Sequence, residues 1–141
     1  EKLIIWNQET LELVSSVKGI GKRASAELLI YTQGFKDMNS YKQLISYAGL
    51  SPTEYRSGTS IRGRVRICKQ GGKQLRHILY MCALNAKKTN AHCRDLFDRL
   101  VANGKNKKAA IIAVCNKLLK IVFGVVKNRT FYQDNYIQKS A

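Results

Sequence analysis

The sequence predicts a mainly α-helical fold: a helix-hairpin-helix core, a short extended basic loop or hairpin, and a C-terminal helical part. Three observations predict it. There is 1 Pro in 141 residues, so little interrupts a helix. Apolar residues recur at three- and four-residue steps along most of the chain, the period of a helix with one buried face. Alternation of the kind a strand needs is confined to Ile61-Arg62-Gly63-Arg64-Val65-Arg66-Ile67. With 45% apolar residues the chain has enough material for one compact domain and is not a disordered one.

The elements follow in order. Glu1 to Gln8 reads as the tail of a helix begun upstream. Thr10 is placed to cap a helix through Leu11, Leu13, Val14 and Val17, with Glu12 in its first turn and Gly19-Ile20-Gly21 at its end. A second helix is expected from about Lys22 to Thr32, with Ala24, Leu28 and Tyr31 at helical spacing and Gly34 closing it. Asn39 or Ser40 caps a third, with Tyr41, Leu44, Ile45 and Ala48, which Gly49 and Pro52 stop. Tyr55 to Ile67, with Ser57, Gly58, Ser60 and Gly63, is the extended or hairpin-like loop. Helix resumes near Gly72, where Leu75, Ile78, Leu79, Cys82, Ala83 and Ala86 form one apolar stripe. Asn90 caps a helix bearing Leu96, Phe97, Leu100 and Val101, closed by Asn103-Gly104. The last helix puts Ile111, Val114, Cys115, Leu118, Leu119, Val122 and Val126 on one face. Residues from Thr130 onward read as a polar tail.

Charge narrows the function. Lys and Arg number 25 against 9 Asp and Glu, a net charge of +16. So large an excess repels itself unless a polyanion offsets it, and a nucleic acid is the expected partner. The charge is segregated. Arg56, Arg62, Arg64, Arg66, Lys69, Lys73, Arg76, Lys87, Lys88 and Arg94 lie between Glu54 and Asp95 with no acid among them. A second acid-free stretch, Arg99 to Gln133, holds Lys105, Lys107, Lys108, Lys117, Lys120, Lys127 and Arg129. On a strand-like loop Arg62, Arg64 and Arg66 share a side, a row of forked donors suited to phosphates. The glycines and serines around them let a ligand backbone come close. Lys18, Gly19, Ile20, Gly21, Lys22 and Arg23 make the second basic feature. A glycine turn ahead of a helix start offers backbone N–H groups and a positive dipole end to a phosphate, without reading bases.

Other chemistry is thin. No secretory leader is expected from Glu1-Lys2-Leu3-Ile4-Ile5-Trp6, and without an initiator Met the chain is expected to be a piece of a longer one. Ala109 to Val126 is apolar, but Asn116, Lys117 and Lys120 interrupt it, so no membrane span is expected. Cys68, Cys82, Cys93 and Cys115 form no CxxC pair, and His77 and His92 complete no zinc pattern; they read as thiols of a reducing cytosol. The acids are too few and scattered for a two-metal nuclease site, so no metal is expected in this chain. Ser57, beside Gly58 and among the arginines, is the one hydroxyl placed for nucleophilic chemistry, but no general base stands next to it in sequence, and on composition alone it reads as a loop serine.

Three segments carry a family resemblance: LVSSVKGIGKRASA (residues 13–26), YKQLISYAGLSP (41–52) and SGTSIRGRVRICKQGGKQLR (57–76), followed by the Tyr80-Met81-Cys82-Ala83 helix. In this order and spacing they resemble the C-terminal transposase domain of the IS110/IS116/IS902 insertion-sequence family. Cys68 stands where the family often has Ser, and Gly72 where it often has Asn. The resemblance implies serine-dependent DNA strand exchange, with Ser57 attacking a DNA phosphate to form a transient 5′-phosphoserine link. It also implies an N-terminal RuvC-like domain, outside this chain, that supplies Mg²⁺ and the missing base. A structured guide RNA, a homo-oligomer in the full-length protein and a cytoplasmic, nucleoid-associated location in a bacterial or archaeal cell follow from the same likeness. The organisation expected is 1–9 as the end of a connector helix, 10–90 as the helix-hairpin-helix and serine-loop core, 91–129 as C-terminal helices and 130–141 as tail. Carried over residue by residue, the catalytic position is Ser57. The backbone-binding set is Lys18, Gly19, Ile20, Gly21, Lys22, Arg23, Arg56, Gly58, Arg62, Arg64, Arg66, Lys69, Lys73 and Arg76. The alternatives are a non-catalytic helix-hairpin-helix binding module and an RNA-binding basic protein.

Overall fold

The computed structural model describes residues 2–53, 56–57, 61–62, 66–67 and 72–133, with side chains described at 8–51 and 72–133. The elements are helices α1 (Lys2–Ser15), α2 (Lys22–Thr32) and α3 (Tyr41–Tyr47), strands β1 (Pro52–Thr53), β2 (Arg56–Ser57), β3 (Ile61–Arg62) and β4 (Arg66–Ile67), then α4 (Lys73–Thr89), α5 (Ala91–Ala102) and α6 (Lys107–Asn128). The mainly helical expectation holds.

The body forms around α6, which packs on α4, α5, α3 and α1. Its stripe of Ile111, Val114, Cys115, Leu118, Leu119 and Val122 is buried as expected, with Ala110 and Val125 also buried while Val126 is only half-buried. Each fully buried leucine is worth about 1.5–3 kcal/mol over an exposed one, so this stripe supplies a large part of the driving force. Among the described residues α6 is the one helix long and apolar enough to cross a bilayer. Here its apolar side is spent on four neighbouring helices, the role of a core helix. On α4 the expected stripe is also the core face: Leu75, Leu79, Cys82, Ala83 and Ala86 are buried and Ile78 packs at its edge. The α5 stripe is less committed, because Cys93 is its one buried residue and Leu96, Phe97, Leu100 and Val101 are half-buried.

Local signals set most boundaries. α2 starts and stops at the expected residues, followed by Gln33 and Gly34 in left-handed conformation. The Ser40 hydroxyl accepts from the Gln43 amide at 3.3 Å and starts α3. Asn106, which the sequence reading did not single out, caps α6 by accepting from the amides of Lys108 and Ala109 at 2.8 and 3.2 Å. Thr10 is a correction. α1 runs unbroken through it, so the boundary at residue 9 falls inside a helix and no cap is needed there. Thr10 is 4% exposed, and its hydroxyl accepts instead from the Arg129 guanidinium at 2.9 Å. The segment after α6 is also less free than its polarity implied. The Tyr132 amide donates to the Ser16 hydroxyl, and the Tyr132 hydroxyl donates to Asn90 Oδ1, both at 3.0 Å.

Three helices each bring a cysteine into the core: Cys82 from α4, Cys93 from α5 and Cys115 from α6. Burial pushes the Cys82 and Cys93 thiols from their ordinary 9.0 up to about 11, with Glu27 adding to the rise at Cys82. Burial, then the neighbouring Cys82, pushes Cys115 up to about 12. A thiolate is therefore held back only in the folded state. These groups favour folding fully below the unfolded value near 9, and that contribution is lost as pH climbs through 11 to 12. The denaturation midpoint should fall between pH 8 and pH 11. At pH 8 these three thiols should label far more slowly in the native protein than in urea, read by peptide mass mapping. Rapid native labelling would contradict their burial.

Candidate nucleic-acid interface

Two basic features are built at different places on this body. The first is the turn between α1 and α2. Beyond Ser15 the chain tightens: the Val17 amide donates to Val14 O at 3.2 Å and the Ile20 amide to Val17 O at 3.1 Å. Ile20 is 4% exposed and anchors the turn in the core. Gly19 has φ +106, a region side chains rarely adopt, and a Cβ there would stand 2.5 Å from Ala86 Cβ and 2.9 Å from Ala86 Cα. The turn is thus docked backbone-first on α4. One residue earlier the Lys18 carbonyl accepts from Asn90 Nδ2 at 3.0 Å.

Asn90 is fully buried and holds three parts of the chain together. Its Oδ1 accepts from the amides of His92 and Cys93, capping α5, and from Tyr132, while its Nδ2 takes Lys18 O. The sequence reading found the cap; the tie to the turn was not visible in it.

The outer side of the turn is open. Gly21 precedes α2 with extended φ −80 and ψ 173, no side chain caps the helix, and a Cβ at Gly21 would meet nothing within 4 Å. Its carbonyl is used, accepting from the Ser25 amide at 2.9 Å and hydroxyl at 2.8 Å. By helix geometry the amides of Lys22, Arg23 and Ala24 have no acceptor within the helix. Lys18, Lys22 and Arg23 are exposed around them. Arg23 is 94% exposed and pairs with Glu27 at 3.2 Å. Surface pairs of this kind contribute little, so a phosphate can replace the carboxylate.

The second feature is an arm. β1 pairs antiparallel with β4 (Pro52 opposite Ile67, Thr53 opposite Arg66), and β2 with β3 (Arg56 opposite Arg62, Ser57 opposite Ile61). The chain leaves the body after Leu50, forms the inner and then the outer ladder, and returns at Gly72 to begin α4. Among the described elements the four strands pair only with one another. Ser57 therefore sits on the outer ladder, next to a position where two arginines oppose each other. The expected hairpin is present. Arg62 and Arg66 fall on different ladders, and Gly58, Arg64 and Lys69 lie outside the described residues. Lys73 is exposed and Arg76 half-buried in the first turn of α4, where the arm rejoins the body.

Among the described residues no three His, Cys, Asp or Glu side chains are grouped to hold a metal ion. A shallow pocket between α5 and α6, lined by His92, Asp95, Leu96, Arg99 and Lys117, mixes charges and contains none of the expected site residues.

The described residues thus combine a mainly helical body, a glycine turn between α1 and α2 flanked by cations, and a two-ladder arm. The family model described as "Transposase IS116/IS110/IS902 family" matches residues 11–98, and the chain belongs to that family. Relatives agree. The chain is 37% identical over 121 residues to a pilin gene-inverting protein of Moraxella lacunata, covering 84% of this chain and 38% of that protein. It is 30% identical over 121 residues to the insertion element IS110 uncharacterized 43.6 kDa protein of Streptomyces coelicolor, covering 86% of this chain and 30% of that protein. An insertion element IS900 uncharacterized 42 kDa protein of Mycobacterium paratuberculosis is 27% identical over 124 residues, 86% of this chain and 30% of that protein. The chain thus spans about a third of the length of these relatives.

Proposed function

We propose that this chain is the DNA-gripping, nucleophile-bearing part of a DNA strand-exchange enzyme. The observation that carries the reading is the place of Ser57 on the outer ladder, one residue from the Arg56–Arg62 pair, on an arm that pairs only with itself among the described elements. The hairpin of Lys18 to Arg23 holds duplex backbone through amides and cations, a contact blind to sequence. The arm brings Ser57 to a phosphodiester. The Ser57 oxygen attacks phosphorus, the bond to the 3′ oxygen breaks, and that oxygen leaves as a 3′-hydroxyl with a proton. The product is a 5′-phosphoserine ester, and the reverse attack by another 3′-hydroxyl rejoins DNA without an outside energy source. The arginines neutralise the phosphate as charge develops on it. The proton acceptor and Mg²⁺ belong to the RuvC-like domain implied by the family resemblance. A guide RNA and assembly of several copies fit the same reading. The name of the Moraxella relative, which inverts a gene, fits a recombination role.

Binding tests the grip. If about six cations neutralise phosphates, log K should fall against log salt with a slope near −5, measured by fluorescence anisotropy on duplex DNA with the full chain. A slope near zero would contradict it. The non-catalytic alternative predicts the same slope and no covalent adduct.

A further inference from the structure

We propose that the end of the helical body opposite the hairpin is a second contact surface for duplex backbone, formed by Lys105, Lys107 and Lys108 together with Lys73. It rests on the reading of this chain as a DNA-gripping domain.

Placement comes from contacts at both ends of two helices. Tyr132, just past α6, bonds Asn90, the residue that ends α4. α4 and α6 also pack along each other, so with their C-terminal ends together they run in the same direction. α4 has 17 residues and α6 has 22, which is about 25 and about 33 Å at 1.5 Å per residue. The first turn of α6 therefore lies at the same end of the body as the first turn of α4, offset by about 8 Å along the axis, and there Lys73 receives the chain from the arm. The other root of the arm is tied further along α6, with Asn116 Nδ2 donating to Leu50 O at 3.5 Å, about 13 Å from Lys107 at 1.5 Å per residue. The hairpin docks on Ala86 and Asn90 at the far end. Lys105, Lys107 and Lys108 thus share the arm's end of the body.

Electrostatics says what they meet. Lys73, Lys105, Lys107 and Lys108 are all exposed, and the first turn of α6 has no acid. Cations at the start of a helix oppose its dipole. Lys87 and Lys88 show the favourable case, standing in the last turn of α4. No acid lies between Arg99 and Gln133 to compensate. The amides of Lys108 and Ala109 are already taken by Asn106, so the ammonium groups, not the helix end, are what a ligand meets. Three ammonium groups in four residues repel one another, and phosphates relieve that. The two basic ends are separated by about 25–33 Å, about 7–10 base pairs at 3.4 Å each. A duplex laid along the body spans that distance in less than one helical turn.

The test uses the full chain and a duplex of about 30 base pairs. It compares wild type with Lys105→Gln/Lys107→Gln/Lys108→Gln, with Lys22→Gln at the hairpin, and with Lys42→Gln on α3 as a control. The triple variant should keep or raise its Tm. Its salt slope should flatten by about 2–3, since each phosphate contact contributes about 0.9. Ethylation interference should lose phosphates about 7–10 base pairs from those lost with Lys22→Gln. If the triple variant binds duplex like wild type while Lys22→Gln binds weakly, the second surface is wrong and the hairpin grip stands. A loss of binding confined to structured RNA would overturn the second surface in the same way. If wild type itself shows no salt-dependent duplex binding, the grip falls and this inference with it.

Discussion

Ser57→Ala should reduce strand exchange by the full-length protein to background while duplex affinity stays within about twofold. The two effects separate because they belong to different groups. Affinity comes from cations and backbone amides that this substitution leaves alone. The covalent step needs an oxygen that can form an ester, and alanine has none. Ser60, three residues on in the same loop, is the internal control: Ser60→Ala should recombine at close to the wild-type rate. Gel assays of exchange products, with anisotropy for binding, read both. Normal exchange by Ser57→Ala would end the assignment.

Gly19→Ala should cause the largest loss of stability of any single-methyl addition in the hairpin. The position has φ +106, and the new Cβ would press on Ala86 at 2.5 Å, with α4 backbone behind it at 2.9 Å. Strain at such a φ costs of order 1–3 kcal/mol, and forcing a methyl into a packed contact typically costs about 1–3 kcal/mol more. The sum, roughly 2–6 kcal/mol, should lower Tm by roughly 5–20 °C. Gly21→Ala is the contrast. Its φ is −80 and its Cβ would meet nothing within 4 Å, so the stability change should be about 0.5 kcal/mol. That methyl would stand on the open side of the turn, where a phosphate approaches, so duplex binding should weaken in a fully folded protein. Thermal denaturation and binding isotherms on the two variants distinguish a glycine kept for docking from one kept for access. Equal stability of the two variants would contradict the docked turn.

The local part of this structure was legible in the residues. Gly19-Ile20-Gly21, Gly34, Ser40, Gly49, Gly72, Asn90 and Asn103-Gly104 punctuate helices through their own backbone preferences, which do not depend on the rest of the fold. The stripes on α4 and α6 repeat often enough to give their buried faces, save that Val125 faces the core more than Val126. The misses are long-range. Thr10 has the chemistry of a cap, but a cap is used only where a helix begins, and its partner Arg129 is 119 residues away. Asn90 takes Lys18 O across 72 residues, and Tyr132 reaches Ser16 across 116. No spacing rule exposes such pairs. For the site, alternation of Ile61 to Ile67 told of an extended hairpin but not that it divides into two ladders with Arg56 opposite Arg62. The basic cluster at the start of α6 was visible as charge. Its position at the arm's end of the body needed the directions of α4 and α6.

The most direct measurement stops an exchange reaction of the full-length protein on a DNA substrate whose bridging 3′ oxygen is replaced by sulfur. The trapped adduct is then digested and the modified peptide sequenced by mass spectrometry. A nucleotide esterified through its 5′ phosphate to Ser57 is the predicted result. A link on any other side chain, or efficient exchange with no protein-bound nucleotide, would contradict it.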